Sequence, residues 1–335
     1  MTSYDALLLV SFGGPEGPQE VIPFLENVTR GRNIPRQRLE QVAEHYYLFG
    51  GVSPINRHCR ELKAAIEADL AAHGIDLPVY WGNRNWTPYL ADTVRQMAAD
   101  GVRRAAAFVT SAYSGYSSRG QYADDIARAR AEVPGAPEID KLRTYYNHPG
   151  FVEPFVEATH AALDRLPAEL RDGAHVAFTA HSVPLDQPGR ERYAAELADI
   201  AAVVAERAAP GHDRALVYQS RSGPPTQPWL EPDIGDHLRK LHAAGTRAVV
   251  VVPIGFVSDH MEVKYDLDVE AAELAAELGL AFERAATPGT HPRYVAMVRE
   301  LLLERTAGPD APRPALGTLG PHPDDCTAGC CRGRS

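Results

Sequence analysis

Two stretches of this chain combine an apolar run with residues able to do chemistry. In the first, Val176-Ala-Phe-Thr-Ala180 runs directly into His181, Ser182, Val183 and Pro184. A buried strand ending there displays an imidazole at its carboxyl end, where open α/β sheets present their ligand-binding groups. Such a ring serves as a base near neutral pH or as a ligand for a first-row metal. In the second, the apolar run 248–254 continues into Gly255-Phe-Val-Ser-Asp-His-Met-Glu262-Val-Lys-Tyr-Asp266. Asp259 and Glu262 are three residues apart and Asp266 follows four later, so a helix starting near Ser258 would align the carboxylates on one face. We expect a carboxylate of this row to face His181 across a cleft, the two arriving from opposite halves of the molecule. A nitrogen–oxygen pair of that kind suits a site that hands a divalent ion on, or a base with an acceptor for released protons. Two ligands are too few to store a metal.

The elements that must carry these residues follow from hydrophobic periodicity. Short apolar runs at 6–12, 78–81, 105–110, 176–180, 216–219 and 248–254 predict strands. Apolar spacing of i, i+3, i+4, i+7 predicts helices over 55–72, 89–100, 121–132, 151–165, 191–206, 233–244, 269–278 and 291–305. This alternation implies an α/β fold with doubly wound, mostly parallel sheet. A shift of 144 residues superposes 92–114 on 236–258 with six identities in 23 positions, each copy reading helix, glycine, strand. The expectation is two similar Rossmann-like α/β halves, 1–150 and 151–306, with a cleft between them. Beyond residue 306 the chain is rich in Pro and Gly without periodicity, which predicts an extended tail over 307–335 unless its cysteines tie it down.

Composition narrows the class. The 335 residues carry 34 basic and 44 acidic side chains, a net charge of −10, which disfavours nucleic acid and anionic lipid as partners. The longest apolar stretch, 248–257, is half of what a membrane span needs and contains Pro253. The N-terminal sequence has neither a basic leader nor a long apolar run, which predicts a cytoplasmic protein. Of four cysteines, Cys59 stands alone while Cys326, Cys330 and Cys331 crowd the last ten residues. That is no disulfide framework for a chain of this size, so free thiols or metal–cluster ligation are the readings left open.

Five strings in a fixed order add a resemblance: SFGGP (11–15), YYLFGGVSPIN (46–56), TAHSVP (179–184), YQSRSGPPTQPWLEPDI (218–234) and VVPIGFVSDHMEVKYDLD (251–268). They resemble the motifs of the ferrochelatases, over about residues 5–305, and with the SVP variant and the Cys-bearing tail they resemble the actinobacterial coproporphyrin branch. The resemblance implies insertion of Fe²⁺ into coproporphyrin III, with coproheme passed to a later decarboxylation in haem synthesis. It implies His181 as proton acceptor, metal contact or both, Glu262 as its acidic partner, and Ser53 and Tyr122 as substrate-binding residues.

Metallating a porphyrin expels two pyrrole protons while the metal sheds water, a demand that a base and exchangeable ligands meet. A flat macrocycle also needs apolar walls and a few carboxylate anchors. Phe12, Ile34, Tyr46, Leu48 and Trp229 are candidate walls, and Arg30, Arg32 and Arg119 candidate anchors. Ser53 is also placed to cap a helix opened by Pro54. Phe12 stands where Gram-positive relatives have Tyr, which removes a phenolate contact to product iron. Cys326-Thr-Ala-Gly-Cys330-Cys331 resembles the thiols that hold a [2Fe–2S] cluster in some members, with Cys59 or a non-cysteine residue as fourth ligand. The competing readings are a protoporphyrin IX ferrochelatase, a small tetrapyrrole cobaltochelatase and a non-catalytic porphyrin or haem carrier. A monomer is expected.

Overall fold

The computed structural model describes residues 3–223 and 226–324. Where aliphatic residues run without interruption the chain forms strands covered on both faces. β1 (Ala6–Ser11) and β7 (Ala248–Val252) are buried at every position, as parallel strands sandwiched between helices must be. The others are β2 (Val79–Asn83), β3 (Arg104–Val109), β4 (Glu138–Lys141), β5 (His175–His181), β6 (Arg214–Gln219) and β8 (Ala281–Arg284). Before β4 lie α1 (Pro18–Val28), α2 (Arg36–Tyr47), α3 (Ile55–Ala72), α4 (Leu90–Ala99) and α5 (Gln121–Ala131). The remaining helices are α6 (Pro149–Arg165), α7 (Ala168–Arg171), α8 (Arg190–Ala208), α9 (Ile234–Ala243), α10 (Met261–Tyr265), α11 (Ala272–Glu277) and α12 (Pro292–Ala307). π-Helical turns, Tyr116–Gly120 and Asp266–Ala271, lead into α5 and α11.

The strands make two four-stranded parallel sheets of identical order, β2-β1-β3-β4 and β6-β5-β7-β8. The repeat read from the sequence is therefore structural. α4 and α9 have bounds that differ by 144 residues at both ends, and β3 and β7 start 144 residues apart. The sheets share one large core running from Leu7 and Phe108 through Tyr113, Tyr145 and Phe151 to Phe178 and Val250. Smaller cores cover the opposite face of each sheet. Tyr113 donates to the Ile254 carbonyl at 2.8 Å, and the buried Glu196 on α8 accepts from the amide and hydroxyl of Ser114 at 2.7 and 2.6 Å.

Several short or polar elements escape the sequence pattern, the one-turn α7 among them. β4 (Glu-Ile-Asp-Lys) and β8 (Ala-Phe-Glu-Arg) are half-exposed edge strands, too short and polar to show an apolar run. α1 and α2, with a small core around Val21, Phe24, Leu39 and Ala43, are masked by Pro23 and by a charged, polar α2.

In the tail, residues 308–324 are held against the body by polar contacts. Arg143, 2% exposed, donates to both oxygens of Glu304 at 2.7 and 3.0 Å and to the Pro314 carbonyl at 3.0 Å. The Leu316 amide donates to Asn147, and Asp324 accepts from Arg305 and Arg313. Removing one partner of a buried charge pair strands the other in a poorly solvated site. Arg143→Met should accordingly lower unfolding free energy by about 3–5 kcal/mol, read from urea midpoints. The double variant Arg143→Met/Glu304→Leu should recover most of that loss.

Candidate functional site

β5 and β7 are neighbours in the second sheet, so the segments leaving their carboxyl ends emerge side by side. His181 closes β5, and Glu262 sits in the first turn of α10, after the loop that follows β7. His181 Nε2 lies 3.4 Å from Glu262 Oε1. The expected pair exists, with one correction: both members belong to the second half, and the strand order rather than closure of a cleft brings them together. Gly255 permits the approach, since a Cβ there would lie 2.6 Å from the Cβ of Ala180.

Hydrogen bonds orient both groups. His181 Nδ1 contacts the Ser182 carbonyl, which only accepts, so Nδ1 carries a proton and Nε2 faces the carboxylate. The Glu262 amide donates to His260 Nδ1 at 3.2 Å, and its carbonyl accepts from Gln219 Nε2 at 3.2 Å. Burial works against charge on either side chain, yet their mutual attraction wins. Glu262 lifts the proton affinity of His181 above the ordinary histidine range, and His181 holds Glu262 below the ordinary carboxylate range. The resting site is an imidazolium–carboxylate pair. His260, 3.9 Å from the other Glu262 oxygen, is kept neutral at pH 7 chiefly by burial. The pair remains reachable, with side chains 34% and 47% exposed.

The acidic row is shorter than its spacing suggests. α10 starts only at Met261 with His260 as its cap, so Asp259 precedes the helix and pairs instead with Arg284 at 2.9 Å and Thr287 at 3.0 Å. It borders a separate cavity of about 540 Å³ shared with His58, Glu61 and His291. Asp266 does continue the row. It accepts from Ser220, a non-glycine residue in the left-handed region at φ 62°, and from Gln219 Nε2 at 3.4 Å. Burial first, then the neighbouring Glu262 and Glu270 charges, raise its pKa to about 7.

The first half supplies aromatic surface. Phe12 and Tyr46 both pack on Phe24, with ring centres 6.3 and 6.0 Å away. Burial and then the Glu262 charge raise the Tyr46 pKa. His45 stacks on Tyr265 at 3.7 Å and 9°, tying α2 to α10. Trp229 bridges Pro184, three residues beyond His181. Ile34 and Leu48 are exposed. Tyr122 is buried with the Arg84 guanidinium 4.5 Å above its ring, and Arg84 also covers Phe12 at 5.8 Å.

Ser53 is buried, its amide donating to Pro15 at 2.8 Å, and its side chain makes no cap on α3, where Pro54 holds the N-cap position. Arg30 and Arg32 are exposed after α1. Arg119 is corrected from rim to interior: it is buried and donates to the Asp324 carbonyl.

Cys326, Cys330 and Cys331 lie outside the described residues. Cys59 is 3% exposed in the shared core, and burial pushes its thiol up to about 11. A sulfur enclosed by that apolar core is not presented to a cluster outside it, so Cys59 does not fit as a ligand. The sequence reasoning missed His260, Gln219, Ser220 and Arg84. The first three lie inside quoted strings, and their adjacency to a strand end was the available signal.

A ferrochelatase family profile matches residues 4–306. The chain is 55% identical to the coproporphyrin III ferrochelatase of Streptomyces coelicolor, over 99% of this chain and 94% of that protein. It is 56% identical to the protein of that name in Mycolicibacterium smegmatis, over 98% and 99%. Among solved structures it resembles SirB from Bacillus subtilis, with a TM-score of 0.54 and 14% identity over 92% of this chain and 100% of that one, a likeness of fold alone.

The charge state of the pair is testable without substrate. Replacing Glu262 by Gln removes the charge that opposes desolvation, so the His181 ring should titrate at least two pH units lower in Glu262→Gln, followed by NMR of the imidazole. An unchanged titration would show that Glu262 does not set the protonation of His181.

Proposed function

The chain belongs to the ferrochelatase family, and on that premise we propose that it inserts ferrous iron into coproporphyrin III, giving coproheme for haem biosynthesis. The observation that carries the mechanism is the His181–Glu262 contact of 3.4 Å. Iron is the substrate. As the aquo ion enters, Glu262 gives it an anionic contact, and the dication cancels the field that kept His181 protonated. The ring passes its Nε2 proton by way of Glu262 to Asp266, which releases it to water, and turns a free Nε2 lone pair to the macrocycle. Two pyrrole protons leave as the Fe–N bonds form, so a dication replaces two protons and charge is conserved. Those protons pass by way of His181 and Glu262 to Asp266, whose pKa of about 7 lets it take up and release a proton near neutrality.

The tetrapyrrole lies against Phe12, Tyr46 and Trp229, with Ile34 and Leu48 at the outer edge. Ser53 and Tyr122 contact substrate, and Arg30 and Arg32 are the cations available to its four propionates. The first half ends near residue 150 and the second near 306. No helix among the described residues is long and apolar enough to cross a membrane. The protein works as a cytoplasmic monomer that passes product to a decarboxylase. A porphyrin carrier needs one axial ligand and no proton route, so the Glu262–Asp266 continuation favours an enzyme.

Anaerobic turnover of Fe²⁺ with coproporphyrin III and with protoporphyrin IX, side by side, tests the substrate: coproporphyrin should show the higher kcat/KM, and the reverse order overturns the assignment. His181→Ala should lower kcat by at least about 100-fold while porphyrin binding, measured by fluorescence quenching, persists. Wild-type turnover in that variant would remove His181 from the reaction.

A further inference from the structure

The second half carries a histidine pair that metal insertion does not use. His175 opens β5, at the end opposite His181. His237 lies on the buried stripe of α9 with Ile234, Leu238 and Leu241. Their Nε2 atoms are 3.1 Å apart, with ring centres at 4.9 Å and planes at 53°. Each residue is only 8% exposed.

The duplication supplies an internal control. Strand pairing sets His175 opposite Val249 where the first sheet sets Ala6 opposite Ala105, so Ala6 is its counterpart. Thr93 on α4 occupies the place of His237, its hydroxyl satisfied by the Trp81 and Tyr89 carbonyls at 2.9 and 3.2 Å. The fold is thus built once without either imidazole. In the second half two core-facing positions in separate elements both carry one, meeting nitrogen to nitrogen.

Between two neutral rings a single proton serves two lone pairs, whereas a metal ion uses both. At the ~2.0–2.1 Å metal–nitrogen distance usual for zinc, nitrogens this far apart subtend roughly 95–100°. That suits tetrahedral or cis square-planar coordination and excludes the linear geometry of a two-coordinate ion. The charged neighbours are Asp213 beside His175 and Lys240 beside His237, both exposed. Among the described residues no third His, Cys, Asp or Glu joins the pair. We propose that His175 and His237 form a second metal site, remote from the cleft, at which a divalent ion of the Ni²⁺, Cu²⁺, Zn²⁺ series binds exchangeably between β5 and α9, with water completing its shell.

The test uses Ni²⁺ and the full chain carrying His181→Ala, so that the cleft does not compete. Calorimetry on this protein is compared with the same protein carrying His175→Ala or His237→Thr, the residues that the first half uses. Each variant should lose one bound Ni²⁺, or bind it at least tenfold more weakly, and should lose the metal-induced rise in Tm. In the otherwise wild-type chain, both substitutions should leave iron insertion unchanged. Should His237→Thr fail to fold, His175→Gln keeps the comparison. Isotherms and Tm shifts identical in parent and variants would leave a proton-bridged pair only and overturn the proposal.

Discussion

An imidazole and a carboxylate 3.4 Å apart, partly shielded from water, stabilise one another's charge and constrain everything around them. Isolated, each would be driven toward its neutral form by desolvation; together they hold a proton that neither releases until another cation arrives. That arrangement survives only if the geometry is fixed independently of the pair. Ser182 fixes the ring through Nδ1, His260 and Gln219 hold the backbone of Glu262, and Gly255 lets the loop close on β5. Reactive geometry here is a property of two adjacent strand ends and the polar groups that satisfy them.

The two halves have the same strand order but divide the work unequally. The second supplies the titratable groups, and the first supplies the rings of Phe12 and Tyr46, with Arg84 lying between Phe12 and the buried Tyr122. A shared core and buried polar links such as Ser114–Glu196 make them one body, so the first half's surface is held in register with the second half's charges. The tail extends that coupling, since Asp324 is bound by Arg119 within the π-helical turn that leads into α5.

Much of this was legible in the sequence. Continuous aliphatic runs identify β1, β5 and β7 because strands buried on both faces need apolar residues at every position. The helix–glycine–strand repeat identifies the duplication because the same packing demands the same spacing. Edge strands β4 and β8 and the polar α2 were illegible, since an element covered on one side carries too little apolar signal.

Residue types and order by themselves determined that an imidazole ends one strand, that carboxylates follow another, and that two α/β halves contain them. Tertiary structure alone decided that the pair meets at adjacent strand ends, that Asp259 leaves the acidic row for Arg284, that Arg119 turns inward, and that Cys59 stays a buried thiol. The physical reason is one of distance. Periodicity reports the face a residue shares with near neighbours in the chain, whereas protonation and pairing depend on fields and contacts between atoms tens to hundreds of residues apart, which the order of strands in the sheet brings together.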